Sequence, residues 1–288
     1  MEMENPSLRL HVDKVSKEQY LILSSNYLST DIAFANEHKI SNFVLSDEFY
    51  LFNSTNYLSG ISSIKELTVG VANIDVSGLK QFINLKRLFL HGRNRNIDFQ
   101  GMRNLEFLQV SFGEKINYSG LENLNSFIFR DCRDKLFNWK KNFFGLSSLE
   151  KLELTDCYLP QQLDFLSNCH QLKELEIYLN PKPFRLQALR QNTSLEKLIL
   201  SQCPHLQYKE DIPLLQTVKW LRLTDCGPIE NCSLFYDMPN LEVLIVTGKS
   251  FFINGDLSGM MGKLKHFGFE KKRHYSHTPE DFPSIFRK

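Results

Sequence analysis

The chain has 288 residues, of which 42% are apolar and 23% charged, and its formal net charge is +1. That balance supports a real core and excludes a disordered chain. It also speaks against a dedicated nucleic-acid surface, which shows itself as clustered Lys and Arg with a large positive charge; the one basic run, Lys271-Lys272-Arg273, reads as a solvated face.

Taken from the N-terminus, MEMENPSLRL has neither a basic leader nor an apolar run, so no secretory signal is expected. Residues 1–39 are read as an N-terminal cap, with YLILSS at 20–25 as a degenerate first strand. From residue 40 a template of the form apolar-x-x-apolar-x-apolar begins. Its copies are Ile40/Phe43/Leu45, Ile64/Leu67/Val69, Leu85/Leu88/Leu90, Leu105/Leu108/Val110 and Leu124/Phe127/Phe129. They continue as Leu149/Leu152/Leu154, Leu172/Leu175/Ile177, Leu195/Leu198/Leu200, Val218/Leu221/Leu223, Leu241/Leu244/Val246 and Leu264/Phe267/Phe269. The early copies start 19–24 residues apart, one step is 25, and the later copies recur every 23. LEKLELTDC at 149–157 and VKWLRLTDC at 218–226 are therefore the same unit three periods apart. A second pattern lies between the first: IDVSGL at 74–79, IDFQGM at 97–102, INYSGL at 116–121 and a weaker DLSGM at 256–260.

These two interlocked patterns resemble the leucine-rich repeat family over residues 40–269, with about ten to eleven repeats. The resemblance implies an α/β solenoid: a right-handed horseshoe with a parallel concave sheet and an irregular or short-helical convex side. The physics agrees, because one repeat cannot bury its apolar strand face alone and stacked copies can share one core. Phe82, Phe99, Phe143, Phe144 and Phe165 in the return segments are expected to fill that core. Residues 270–288 are read as a C-terminal capping tail in which Thr278-Pro279-Glu280-Asp281 starts a helix.

Position nine of the template holds Cys132, Cys157, Asn180, Cys203 and Cys226 in five consecutive repeats. In the family this position is characteristically Asn or Cys and turns inward to satisfy backbone groups. The rule lapses at Ala72, Arg93 and Gly113 before them and at Lys249 and Lys272 after them. A zinc site needs closely paired ligands, and no short C-x-x-C pair occurs. No metal or cofactor is expected. Cysteines without paired spacing point to a reducing compartment, and the longest aliphatic run, Val243–Val246, cannot span a bilayer. A cytoplasmic location is therefore expected.

Strand residues between the buried ones face the other way, and any partner would meet them there. Phe89, Phe107 and Ile128 form one apolar group, while Ile199, Trp220, Val243 and Ile245 form another. Between them lie Arg130, Lys151, Glu153, Glu174, Glu176 and Tyr178, and Arg222 stands opposite Glu153 in the repeat register. Exposed large apolar groups mark interaction surfaces, and Trp, Tyr and Arg are favoured as binding hot spots. The expectation is a non-enzymatic module, monomeric when free, that binds a protein through this face and neither nucleic acid nor membrane. The candidate contacts are Phe89, Phe107, Ile128, Arg130, Glu153, Glu176, Tyr178, Ile199, Trp220, Arg222 and Ile245. Toxin neutralisation or action as a host-directed effector are the alternative roles. The competing classes are an architectural spacer and an enzyme using Cys169-His170 or the tail histidines His274 and His277. The column Asp131, Asp156 and Asp225 reads as solvated turn residues.

Overall fold

The computed structural model describes residues 5–92, 97–113, 116–118, 120–207 and 211–286. The chain falls into two compact units, Met1–Arg130 and Asp131–Lys288. Of the position-nine residues, Arg93 lies outside the described residues.

The first unit begins with strand β1 (Leu10–Val12) antiparallel to β2 (Gln19–Ile22), followed by helix α1 (Leu28–Glu37). From β2 the pairing is parallel through β3 (Asn42–Leu45), β4 (Glu66–Val69), β5 (Arg87–Leu90), β7 (Phe107–Ser111) and β9 (Ser126–Arg130). Each template contributes one strand. Phe43, Leu67, Leu88, Leu108 and Phe127 stand in register, and none exposes more than 1% of its surface. Period-2 alternation sends them all to one face, and stacking removes that face from water.

The second sequence pattern builds the return path. In IDVSGL the Asp75 carboxylate accepts the Ser77 backbone N–H at 2.9 Å and opens the 3-10 turn Ser77–Gln81. Asp98 accepts from Gln100 in the same way at 3.0 Å, and Asp256 from Ser258 at 3.0 Å. A side chain that mimics a backbone turn explains the Asp at this point. Gly78 is required by stacking, since a Cβ there would meet Asn56 at 2.6 Å in the preceding turn. Two short strands, β6 (Ile97–Asp98) and β8 (Ile116–Asn117), pair in parallel on this side.

The N-terminal end is closed by a buried ion pair. Arg9 and Asp31, 3% and 0% exposed, are joined by two hydrogen bonds of 2.8 and 2.6 Å. Arg9 also donates to the Ile22 carbonyl at 2.9 Å, and Asp31 accepts the Ser24 N–H at 2.8 Å. Buried charge is tolerated when paired and hydrogen-bonded in this way.

The second unit carries helix α2 (Trp139–Phe143) and six parallel strands in sequence order. They are β10 (Lys151–Thr155), β11 (Glu174–Tyr178), β12 (Lys197–Ser201), β13 (Trp220–Thr224), β14 (Val243–Thr247) and β15 (His266–Phe269). The returns are again 3-10 turns, such as Asp164–Leu166, Gln187–Gln191 and Cys232–Phe235. Phe143 and Phe165 fill the core beside Trp139, at ring distances of 5.5 and 4.9 Å from it. Phe144 departs from the expected core role: it ends α2 and is 69% exposed, because Phe143 already occupies the inward position.

The residue after each of β10 to β14 has a positive φ: Asp156 55°, Leu179 58°, Gln202 56°, Asp225 54° and Gly248 67°, with Asp131 at 62° in the equivalent place. This left-handed turn directs the next side chain inward. Cys132, Cys157, Asn180, Cys203 and Cys226 are all at most 1% exposed. The Cys226 thiol points at the Leu200 and Thr224 carbonyls, both at 3.3 Å, and Asn180 donates to the Lys182 carbonyl at 3.2 Å. All six cysteines are unbridged. The Asp column is therefore more than solvated turn. Asp tolerates the left-handed conformation, Asp156 is bound through both oxygens by Arg133 at 2.9 Å, and Asp225 accepts the Lys249 N–H at 2.8 Å.

Phe282 of the tail, 3% exposed, packs against Phe267 at 5.0 Å and Phe269 at 5.7 Å. The predicted helix start is a 3-10 turn, Pro279–Asp281, with Asp281 accepting the Thr278 N–H at 2.7 Å.

Candidate interaction surface

The open face of the first unit is dominated by one cluster. Phe89 and Phe107 meet at a ring distance of 4.6 Å, and the Arg87 guanidinium lies over both, at 5.6 and 4.9 Å. Glu66, in register with Arg87, binds it at 2.9 Å. Burial pushes the Glu66 carboxyl above its ordinary value even with that cation beside it. Ile128 stands half-buried in register with Gln109, one rung on from Phe89, and Arg130 is half-buried in register with Ser111. The sequence thus correctly places Phe89 and Phe107 together. Arg87, which it left out of the candidate contacts, is the cation over both.

In the second unit the open face is a charge lattice across adjacent rungs. Lys151 lies 3.1 Å from Glu174 and 3.8 Å from Glu176. Lys197 pairs with Glu174 and lies 3.4 Å from Glu176, whose other oxygen accepts the Tyr178 hydroxyl at 2.6 Å. Burial opposes ionisation of Glu174, but hydrogen bonds from Glu176 and the two lysines outweigh it and hold it at about 2. Burial and the shared contact with Glu174 push Glu176 up. Glu153 accepts the Thr155 hydroxyl at 3.1 Å. Glu176 and Ile199 are each 8% exposed and offer little surface of their own. Arg222 is exposed and donates to the Thr224 hydroxyl at 3.2 Å, while Ile245 is half-buried beside it in the register.

Trp220 is half-buried and has an occupant that the repeat pattern could not show. Phe286 of the tail meets its ring at 6.4 Å and the His266 ring at 4.8 Å, edge-on in both cases. No periodic position marks Phe286; the only signal is a second tail phenylalanine four residues beyond Phe282.

The residues of the competing enzyme reading do not assemble. Cys169 is fully buried, burial pushes its thiol up to about 12, and the adjacent His170 points to solvent. His274 is bonded to the Phe252 carbonyl at 2.9 Å, and His277 to the Ser276 hydroxyl at 2.7 Å. Among the described residues no three metal-binding side chains gather, and no helix is long and apolar enough to cross a membrane.

No protein-family model matches the chain, and no curated protein matches it. Among solved structures it is similar to an internalin (inlF) from Listeria monocytogenes. That match covers 93% of this chain and 87% of the other at 13% identity, with a TM-score of 0.55. An internalin C2 (inlC2) from the same organism matches 74% of the chain and 83% of its own length at 17% identity and a TM-score of 0.41. At such identities the likeness is one of fold, carried by the first of the two. One parallel strand per sequence repeat, 3-10 returns, an inward Cys/Asn ladder and that likeness lead to one conclusion: the chain has the leucine-rich-repeat fold.

Proposed function

We propose that the protein is a non-enzymatic interaction module that binds a protein partner through the open face of its sheet, with residues 1–39 and 270–288 serving as end caps. The observation that carries this is the Arg87/Phe89/Phe107 cluster. It sets two aromatic rings and a cation on the strands of a parallel sheet, the rings half-buried against each other and the cation exposed above them. Side chains of these types, held by the scaffold before binding, lose little entropy on association and serve as anchors. The charge lattice of Lys151, Glu174, Glu176 and Lys197 would set specificity, since like charge against it is costly. Six unbridged cysteines agree with a reducing, cytoplasmic setting.

The test is affinity capture from the lysate of the source cell, comparing wild type with Phe107→Ala and with Trp220→Ala. A specifically retained protein whose recovery falls about tenfold or more with Phe107→Ala, about 1.4 kcal/mol or more, is expected. Equal recovery by wild type and both folded variants would overturn the proposal.

A further inference from the structure

Phe282 serves the tail's capping role by packing on Phe267 and Phe269, the latter also met by Tyr275 at 5.7 Å. Phe286 adds nothing to that cap. Only Pro283, Ser284 and Ile285 separate the two, yet Phe286 lies against the open face of the sheet, over Trp220 and His266. These two side chains occupy the same template position two rungs apart, with Val243 in register between them. Val243 is 5% exposed and His266 8%, low values for side chains on the open face of a sheet. The site is also shaped from below. Gly268 has no side chain, and a Cβ there would come within 2.9 Å of His266 Nε2 and 3.4 Å of Ile245 Cγ1. The glycine leaves room for the imidazole that Phe286 meets edge-on.

Phe286 fits this site shallowly, with 66% of its surface still in water, and Ile285 beside it is 49% exposed. A ring that enters further buries more apolar area than the tail does. Because Phe282 anchors the chain separately, Phe286 can leave without opening the end of the core.

We infer that the Trp220–Val243–His266 column is the subsite for an aromatic side chain of the protein partner, and that Phe286 holds it in the free chain. This rests on the protein-interaction reading and specifies its chemistry: the partner presents a Phe- or Tyr-bearing extended segment that competes with the chain's own tail. Displacing a tethered ring weakens apparent affinity, so the tail sets a threshold for binding.

The chain has two tryptophans, Trp139 in the core and Trp220 at the subsite, so 5-fluorotryptophan labelling gives a fluorine NMR signal for each. In the full chain carrying Phe286→Ala, the Trp220 signal shifts and the Trp139 signal does not. Adding the synthetic peptide Pro-Ser-Ile-Phe-Arg-Lys returns the Trp220 signal saturably; the same peptide with alanine for phenylalanine does not. The wild-type chain requires at least threefold more peptide for the same response. In capture experiments Phe286→Ala retains at least threefold more partner than wild type, and Trp220→Ala cancels the gain. A Trp220 signal blind to Phe286→Ala, or equal action of the two peptides, overturns the subsite. A partner lost with Phe107→Ala but indifferent to Trp220→Ala and Phe286→Ala also overturns it while leaving the interaction reading intact. Peptide binding at Trp220 with no protein retained by any bait overturns both.

Discussion

The turn that follows each strand is built differently in the two units. In the second, β10 to β13 are each followed by one left-handed residue and then an inward Cys or Asn, as Asp131 and Cys132 are at its start, while after β14 the place falls to exposed Lys249. In the first, among the described residues, position nine holds no inward Cys or Asn. Position nine is exposed at Ala72, and the turn is tied instead by side chains on the rim, as where the Asp47 carboxylate accepts the Ala72 N–H at 3.1 Å. On the opposite edge both units use asparagines that donate to the preceding rung: Asn104 to Ile83 at 2.7 Å, Asn123 to Arg103 at 2.8 Å, and Asn240 to Gln216 at 2.8 Å. The ends differ as well, with a buried ion pair closing the first unit and an aromatic cluster the second. Every backbone group taken from water needs a partner. Where position nine is Cys or Asn that partner comes from underneath the turn, and at Ala72 it comes from the rim.

Three changes test that contrast. The largest effect is expected at the ion pair. Asp31→Ala strands a buried guanidinium and should cost about 3–5 kcal/mol, whereas Arg9→Met with Asp31→Leu should recover most of the loss. Urea unfolding measures both, and a loss below about 1 kcal/mol for Asp31→Ala would mean that the first unit is not closed in this way.

Next is the left-handed column. Leu179 holds a φ of 58° where its counterparts include Asp and Gly, and 45% of its surface is exposed. Asparagine visits that conformation readily, so Leu179→Asn should stabilise the chain by about 0.5–1 kcal/mol. Destabilisation would show that the leucine contributes packing worth more than its backbone strain.

The smallest effect is the pH response, which has opposite signs at Glu174 and Glu66. Glu174, held at about 2 against an ordinary 4.5, contributes stability that is present above 4.5 and lost as pH falls towards 2. Glu66 is raised, so its contribution is greatest below 4.5 and is lost as pH rises through its elevated value. Acidification from pH 5 to 3 should therefore loosen β10–β12 relative to β3–β5 in hydrogen exchange, with the raised Glu176 on β11 opposing that change, and Glu174→Gln should narrow the difference. Equal change in both sets of strands would contradict the assignment.

The repeat template shows which residues are buried, because period-2 alternation and a fixed repeat length leave one way to stack Leu67 on Leu88 or Leu198 on Leu221. It also shows which side chains share the open face. It could not show how much of each remains open. Ile199 and Glu176 occupy the same columns as Phe89 and Arg222, yet they are nearly closed off by neighbours on adjacent rungs. Phe144 was misassigned for a related reason, since in FF the periodicity of the return segment does not say which ring turns inward.

Strand register and the returns begun by Asp and Gly are legible in the chain alone, because each is a local rule that recurs along it, and the inward Cys/Asn ladder follows from the leucine-rich-repeat resemblance. The tertiary structure alone places what lies on the open strands: Arg87 over two rings, two lysines sharing Glu174, and a tail phenylalanine over Trp220. Apart from Arg87 and Phe89 on one strand, those contacts join residues about 20 to more than 60 positions apart, through side-chain reach and a non-repeating tail. A period carries no information about either.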